Sequence, residues 1–342
     1  MFGRKSKGCL LILILMFVFC GISFCDDKSV PFETVLINNV QAASSKNKKE
    51  KALKNLFYYY VNTKRYSEII SVANELLEYK LSKKERYTVY YNLALSYKKY
   101  KKYEAAIEAA QEAEYLYPKK IDIKILMGEI YTDNSLYELA VNKFKNILEL
   151  DNKHVTASIN LGNIYKLQRI YKQALEYYKK AMSLRENLSA EVYINAAACC
   201  KEAGSIDEAI SILKNLKTQN KESSLLLADI YKNKKDFANA KDMLVPYVYG
   251  KDFDLKIYCN LAEIYIFSKN YEEAEKLLLY YKDKSKKKNV EAVDFLLAEV
   301  YYMTKENKKA TKILNNILKY TKSDYIKDIV KRILKIREHK DN

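Results

Sequence analysis

The 342-residue chain contains little glycine or proline, with seven glycines, three prolines and no tryptophan. This scarcity argues against a β-rich or disordered protein and favours long helices. Candidate catalytic groups are also few, since the two histidines, His154 and His339, lie in no catalytic or metal-binding pattern. Phosphate-binding glycine loops, zinc-protease motifs and nucleophile elbows are absent from the sequence. We therefore expect a helical protein that is not an enzyme and uses no cofactor or metal.

Cysteines that could form disulfides are scarce as well. Of six cysteines, Cys9, Cys20 and Cys25 fall in an apolar N-terminal segment. The others are Cys199, Cys200 and Cys259. Adjacent cysteines on a helix point about 100° apart and do not bridge easily, and no C-x-x-C spacing occurs. We expect these three thiols to be small buried groups rather than parts of a disulfide framework.

The N-terminal segment combines basic and apolar residues. Three basic residues among the first seven precede an apolar run over residues 9–24, and two aspartates follow it. This order is typical of a secretory signal peptide, whereas a membrane span needs about 20 apolar residues. We predict that residues 1–25 form a signal peptide cleaved after Cys25. The alternatives are an uncleaved N-terminal anchor and a lipidated Cys25, and each places an exported protein in the periplasm or cell envelope.

Residues 26–49 contain a proline, one apolar patch at residues 35–37 and, after it, a tail rich in serine, asparagine and lysine. We predict a flexible linker here, with docking of the patch on the first helix as the alternative. Near the other terminus, residues 323–338 place isoleucines, valine and leucine on one helical face and charged residues on the opposite face. This pattern predicts a C-terminal capping helix.

Between these two segments, residues 50–322 carry a repeat with a period of roughly 34 residues. A small or apolar residue recurs at Phe57, Ala94, Gly128, Gly162, Ala197, Ala228, Ala262 and Ala298. Three residues after each stands a tyrosine, except for Cys200 in the fifth copy, and twelve residues after each stands an alanine, except for Ile69 in the first. The clearest copies read LMGEIY, LGNIY and LAEIY, at 126–131, 161–165 and 261–265. Each copy predicts two amphipathic helices that cross at the small residues.

This pattern resembles the tetratricopeptide repeat family. The resemblance implies an all-α, right-handed superhelical solenoid of about eight helix–turn–helix repeats over residues 50–322, followed by the capping helix. Together with the predicted signal peptide, it implies an exported, bacterial-type scaffold or adaptor of the cell envelope. Such a protein would bind a protein or extended peptide in a concave groove, which the first helix of each repeat would line.

The candidate binding residues lie on these first helices. Asparagine stands two residues before the small position in five of the eight repeats. A side-chain amide both donates and accepts hydrogen bonds, so a row of them is similar to the asparagine ladder of peptide-binding family members. The predicted peptide-binding residues are Asn55, Asn92, Asn160, Asn163, Asn195, Asn260, Lys54 and Lys98. At roughly 1 kcal/mol per hydrogen bond, against at least about 4 kcal/mol for association, a tight partner must also fill apolar or charged pockets.

Charge limits the classes of partner. The chain has a formal charge of +17, whereas the predicted groove positions carry lysine and acidic residues in nearly equal number. Nucleic acid needs a dense basic track, so we expect no nucleic acid there, and we expect no small-molecule substrate. A carboxylate clamp is not expected, because Lys54 and Asn92 are followed by Asp122 and Glu129. The alternative functions are an adaptor that binds an anionic membrane or polymer through lysine-rich edges, and a regulatory subunit of an envelope assembly or secretion complex.

Overall fold

The computed structural model describes residues 31–216, 218–248, 253–286 and 289–341, with side chains through residue 336. The predicted signal peptide lies outside the described residues. Within them, all regular structure is helical and no strand occurs. No helix in this part of the chain is both long and apolar enough to cross a membrane.

The helices pair in chain order into eight hairpins, which we call repeats 1 to 8, each with a first helix A and a second helix B. A single helix, α1 (Phe32–Gln41), precedes them. The hairpins are α2 (Lys46–Thr63) with α3 (Tyr66–Leu76), α4 (Lys83–Lys99) with α5 (Tyr103–Leu116), α6 (Ile121–Asp133) with α7 (Tyr137–Leu150), α8 (Val155–Leu167) with α9 (Tyr171–Leu184), α10 (Ala190–Glu202) with α11 (Ile206–Lys214), α12 (Lys221–Asn233) with α13 (Phe237–Leu244), α14 (Leu255–Phe267) with α15 (Tyr271–Lys284), and α16 (Glu291–Met303) with α17 (Asn307–Tyr320). The last helix is α18 (Asp324–Asp341). The prediction of eight helical hairpins is therefore confirmed.

The chain forms two compact units, residues 1–123 and 124–342. The first unit contains α1 and repeats 1 and 2. The second contains nearly all of repeat 3, repeats 4 to 8, and α18. In the second unit the A helices of repeats 4 to 8 lie side by side, each in contact with the next.

Residues 31–49 are not the flexible linker that the sequence predicts. They form α1 and the start of α2, which begins behind the N-cap residue Ser45. Leu36, from the apolar patch, is buried where α1 packs on α2, and Tyr60 donates a hydrogen bond to Glu33 at 3.1 Å. The patch therefore docks on the first hairpin, because a helix removes its apolar face from water and pairs its backbone groups as well.

The small residues of the repeat mark the places where helices A and B cross. All eight predicted crossing positions are buried, and so are the eight positions twelve residues later. In repeat 4 a Cβ atom added to Gly162 would lie 2.7 Å from the ring of Tyr178, and in repeat 3 one added to Gly128 would lie 2.6 Å from the ring of Phe144. Only glycine lets these large, fully buried rings pack against the facing helix.

The turn from helix A to helix B has the same backbone conformation in all eight repeats. Its residue seven positions after the crossing residue has a positive φ, between 56° and 82°. Repeat 5 has Gly204 there, whereas the other repeats use lysine, arginine or serine. The next backbone N–H donates to the carbonyl three positions after the crossing residue, as from Ile170 to Tyr165 at 2.8 Å. This six-to-one bond of a Schellman cap offsets the roughly 1–2 kcal/mol that a left-handed conformation costs a residue with a side chain.

The three cysteines among the described residues form no disulfide. Cys199 and Cys200 are buried in α10, and Cys259 is half-buried in α14. Burial raises the pKa of Cys199 and of Cys259 to about 11, and the pKa of Cys200 to about 12. These thiols therefore stay protonated near neutral pH and act as small packing groups.

Candidate functional site on the A-helix face

The A-helix face of the second unit is formed by α8, α10, α12, α14 and α16. Because these helices lie side by side and share one repeat register, residues at equivalent positions form rows across the face. We number positions from the crossing residue of each repeat. Position +1 is acidic in the last three repeats, at Asp229, Glu263 and Glu299.

Two junctions between neighbouring A helices carry the same ion pair. Lys201, at position +4 of repeat 5, lies 2.7 Å from Asp229 of repeat 6. Lys232, at position +4 of repeat 6, lies 2.7 Å from Glu263 of repeat 7. At both junctions, a lysine of one repeat neutralises the acid at position +1 of the next.

The junction between repeats 7 and 8 has the acid without the lysine. Position +4 of repeat 7 is Ile266, which is buried in a cluster with Val300. Glu299 consequently meets no cation among the residues that the structure describes. Removal of water by the surrounding side chains, and then the charge of Glu263, raise the pKa of Glu299 above its ordinary value.

A cleft of about 580 Å³ opens beside Glu299. Ile266, Phe267 and Leu296 belong to its apolar lining, and its charged lining consists of the three acids at position +1 together with Lys232 and Lys235. Phe267 is 60% exposed, and the Lys232 ammonium lies 6.0 Å from the centre of its ring. The cleft therefore offers an apolar surface next to an unpaired carboxylate.

Two of the predicted asparagines on this face bond to their own helices. The Asn160 amide nitrogen donates to the Thr156 carbonyl at 3.0 Å. The Asn260 amide nitrogen donates to the Lys256 carbonyl at 2.8 Å. One amide hydrogen of each is thus occupied, while the amide oxygen accepts no hydrogen bond from the described residues.

Asn163 and Asn195 contact each other across the junction of repeats 4 and 5. The Tyr178 hydroxyl donates to the Asn163 amide oxygen at 2.6 Å, and the Asn195 amide nitrogen donates to the same oxygen at 3.4 Å. Lys166 donates to the Asn195 oxygen at 2.6 Å. These side chains have partners within the protein, a feature that the sequence pattern did not reveal.

In the first unit, Lys54 has carboxylate partners on both sides. Its ammonium lies 2.7 Å from Glu50 and 2.7 Å from Glu85. The hydrogen bond from Lys54, followed by those from Ser82, lowers the pKa of Glu85 to about 2. Lys54 therefore links repeats 1 and 2 rather than standing as an unpaired cation.

The other three predicted residues of the first unit differ in exposure. Asn55 is exposed, and Lys98 is half-buried. The Asn92 amide nitrogen donates to the carbonyl of Thr88 at 2.8 Å, in the same way as Asn160 and Asn260. The eight predicted residues are thus divided equally between the two units, and the amide ladder stays a prediction.

Sequence reasoning missed Phe267 as a site residue. The repeat register could have indicated it, because position +5 is apolar in repeats 4, 7 and 8. The residues there are Leu167, Phe267 and Met303, and all three are exposed. Among the described residues, no group of three or more histidine, cysteine or acidic side chains could hold a metal ion. The arrangement offers binding surfaces and shows no catalytic constellation in the part of the chain that the structure describes.

Family models described as tetratricopeptide repeat match three segments of the chain, residues 87–120, 155–188 and 255–279. These segments coincide with repeats 2, 4 and 7. The chain carries tetratricopeptide repeats in these three segments. Proteins built from such repeats are generally non-catalytic scaffolds that mediate protein–protein interactions. No curated protein matches the chain.

Several solved tetratricopeptide-type structures are similar to the chain. PilW, a type IV pilus biogenesis factor, is 15% identical with a TM-score of 0.49, and the match covers 61% of this chain and 98% of PilW. A tetratricopeptide repeat protein from Parabacteroides merdae is 16% identical with a TM-score of 0.46, over 82% of this chain and 97% of that one. Yeast Tom70 is 16% identical with a TM-score of 0.46, over 94% and 67% of the two chains. At these identities the similarity concerns helical fold and carries no partner or location to this protein.

Proposed function

We propose that this protein is a non-catalytic scaffold that binds an extended segment of a partner protein on the A-helix face of repeats 4 to 8. The observation that carries the proposal is the set of exposed apolar residues at position +5 of repeats 4, 7 and 8, whereas repeats 5 and 6 have Glu202 and Asn233 there. Leu167, Phe267 and Met303 are 55%, 60% and 51% exposed at this one position of the face. Phe267 and Met303 lie on neighbouring repeats, and large apolar side chains exposed on one face are typical of protein interaction sites.

The polar groups of the same face support an extended partner. The amide oxygens of Asn160 and Asn260 accept no hydrogen bond from the described residues, so they can accept from the backbone N–H groups of an extended segment. These bonds would orient a segment, while the exposed apolar residues at position +5 would supply most of the buried area.

Site-specific photo-cross-linking in cells of the source organism tests this proposal. A photoreactive residue replaces Leu167 or Met303 on the A-helix face. The controls replace Leu150 or Leu279, which are similarly exposed on B helices. We expect a cross-linked protein partner from the A-helix positions and none from the controls. Equal yields at both sets, or no cross-link at the A-helix positions, would contradict the proposal.

We further propose that the scaffold acts outside the cytoplasm, in the periplasm or cell envelope. The support comes from the basic and apolar sequence of residues 1–25. Intact-mass measurement of the protein recovered from cell fractions tests this step. We expect a mass in the envelope or periplasmic fraction that lacks residues 1–25, or a lipid adduct at Cys25. Unmodified full-length protein confined to the cytosolic fraction would contradict it.

A second candidate function is binding to an anionic membrane or polymer. The exposed, left-handed turn position +7 is basic in four repeats of the second unit, at Arg169, Lys235, Lys269 and Lys305. These four have no acidic partner within the described ranges. Each basic residue near an anionic surface contributes about 1 kcal/mol, so a row of them would attract one. Co-sedimentation with phosphatidylglycerol vesicles at low and high salt decides this candidate. We expect salt-sensitive binding that is lost when all four are replaced by glutamine; absence of such binding rejects it.

A further inference from the structure

We infer that the cleft lined by repeats 6 to 8 binds, beside Glu299 at the junction of repeats 7 and 8, a lysine or arginine side chain of the partner segment, with an adjacent apolar side chain of that segment packed on Phe267. This inference rests on the proposed scaffold function and specifies the chemistry of its partner. Its basis is a difference between junctions that are otherwise built in the same way.

The positions of the lysines at the two preceding junctions indicate where a cation from the partner would bind. Lys201 and Lys232 occupy position +4 in two consecutive repeats, and each neutralises the acid at position +1 of the following repeat at 2.7 Å. At the next junction Ile266 takes the lysine's position, while Glu299 keeps the acid's position. The protein thus builds one half of the ion pair at this junction, and a partner can supply the other half.

The electrostatics of the cleft favour a cationic side chain. Glu299 has no cation among the described residues, and Glu263 repels its charge, as the raised pKa of Glu299 indicates. A partner ammonium or guanidinium would relieve this repulsion and satisfy the carboxylate. Lys232 and Lys235 also line the cleft, but Lys232 is already paired with Glu263 and the three acids outnumber the two lysines, so an acidic segment is disfavoured beside Glu299. A wholly apolar segment would remove water from Glu299 without replacing its hydrogen bonds.

The apolar wall specifies what accompanies the cation. Phe267 is 60% exposed and lines the cleft together with Ile266 and Leu296. The stem of a lysine or arginine can lie along such a wall with its charged end at the carboxylate. A neighbouring apolar residue of the segment would then cover the Phe267 ring and exclude water from the ion pair, which strengthens it.

Selection from a displayed library of random dodecapeptides tests the inference on the purified protein. The wild type is compared with Glu299→Gln, which removes the charge and keeps the shape. The control is Glu272→Gln, which makes the same change on the exposed surface of α15. We expect the wild type and the control to select peptides with lysine or arginine at one position next to an apolar residue. Glu299→Gln should lose this selection.

A second variant supplies the missing lysine from within the protein. Ile266→Lys reproduces at junction 7–8 the arrangement that Lys232 has at junction 6–7. We expect both Ile266→Lys and Glu299→Gln to weaken binding of the best selected peptide by about tenfold or more in fluorescence anisotropy, while Glu272→Gln leaves it unchanged. Because Ile266 is buried, circular dichroism melting must show that this variant is folded. Glu299→Gln, at an exposed position, carries the test if it is not.

The outcomes separate the inference from the function on which it rests. If peptides bind the A-helix face without a basic residue, or if Glu299→Gln leaves their affinity unchanged, the inference is wrong and the scaffold proposal stands. If no peptide is selected and no A-helix position cross-links, both are wrong.

Discussion

Asp294 and Glu299 lie on the same helix, α16, and have opposite surroundings. Asp294 is 1% exposed, and it accepts hydrogen bonds from Lys282 and, at 2.7 Å, from Tyr320. Glu299 is exposed and has no cation among the described residues. The first carboxylate holds α15, α16 and α17 together, whereas the second remains available to a partner. A charge that the fold satisfies serves stability, and one that it leaves unsatisfied marks a surface for binding.

The same contrast holds between neighbouring junctions of the A-helix face. At the junction of repeats 6 and 7, Lys232 neutralises Glu263 within the protein. At the junction of repeats 7 and 8, an isoleucine stands in place of the lysine. Two equivalent junctions therefore differ in charge pairing through a single side chain.

The largest expected effect comes from removing the satisfied carboxylate. Asp294→Ala leaves Lys282 and Tyr320 without their acceptor at a buried site. We expect a loss of about 3 kcal/mol in the free energy of unfolding, near the lower end for breaking a buried pair because Lys282 still reaches water. Urea denaturation measures it. The matched change Glu299→Ala should alter stability by less than about 0.5 kcal/mol, and equal losses in the two variants would remove the contrast.

Two uncharged positions in repeat 4, Gly162 and Asn160, allow the stability effect of a buried substitution to be compared with that of a substitution on the A-helix face. In Gly162→Ala the new Cβ would lie 2.7 Å from the ring of Tyr178, which is fully buried. Overpacking destabilises the fold by about 1–3 kcal/mol, and the better helix propensity of alanine offsets about 1 kcal/mol of this. We therefore expect the free energy of unfolding to fall by about 1 kcal/mol. Thermal unfolding of Gly162→Ala and of Asn160→Ala, two residues away on the face, should show the loss in the first variant alone. A more stable Gly162→Ala would show that the ring can move.

Replacing the lysine of junction 6–7 by the isoleucine found at junction 7–8 should alter peptide binding more than it alters stability. Lys232→Ile gives junction 6–7 the residues of junction 7–8 and leaves Glu263 without its lysine. Because Glu263 is 40% exposed in its side chain, we expect less than about 1 kcal/mol of change in the free energy of unfolding. Affinity for a peptide with two basic residues should rise, as measured by fluorescence anisotropy. A lower affinity would mean that Lys232 itself contacts the partner.

The smallest expected effect is a difference in pH dependence between two acids. Folding raises the pKa of Glu299, so its charge destabilises the folded state at neutral pH, and this penalty disappears as the pH falls below about 4.5, the ordinary value. Folding lowers the pKa of Glu85 to about 2, so its stabilisation is present above 4.5 and is lost as the pH falls toward 2. At pH 7 we expect Glu299→Gln to raise the free energy of unfolding by a few tenths of a kcal/mol, and Glu85→Gln to lower it by up to about 1 kcal/mol.

Unfolding free energies of both variants and the wild type at pH 7 and pH 3.5 check these signs. The charged groups that line the cleft with Glu299 are Glu263, Asp229, Lys232 and Lys235, and the two lysines stay charged over this range. A gain in Glu299→Gln that is equally large at pH 3.5 would show that packing, rather than charge, is responsible.

The repeat register was the most predictable part of the fold. The recurrence from Ala94 to Ala298 predicted the crossings of helices A and B, because residues that cross within a hairpin are separated by a constant number of positions. Helix geometry at the adjacent cysteines and the absence of a C-x-x-C spacing predicted that the three cysteines form no disulfide framework, which the structure confirms. The repeat register could not predict α1 over the supposed linker, since ten residues without a repeat partner show no such period.

The binding face was less predictable, because its properties depend on which side chains of different repeats meet. The sequence placed Asn163 and Asn195 on the first helices, but not in contact with each other at 3.4 Å. It predicted lysine and acidic residues in nearly equal number on the face, but it did not indicate that Lys201 and Lys232 pair with the acids of repeats 6 and 7 while Glu299, in repeat 8, has no such lysine.

By itself, the sequence determined the number of hairpins, the small residues at their crossings and the helical class of the protein. Local periodicity suffices for these features, because each depends on contacts within one repeat. Only the tertiary structure decided which charges are neutralised and which face a cleft. Those contacts join side chains about thirty residues apart on neighbouring helices, and an ion pair forms only where the two ends come within a few ångströms.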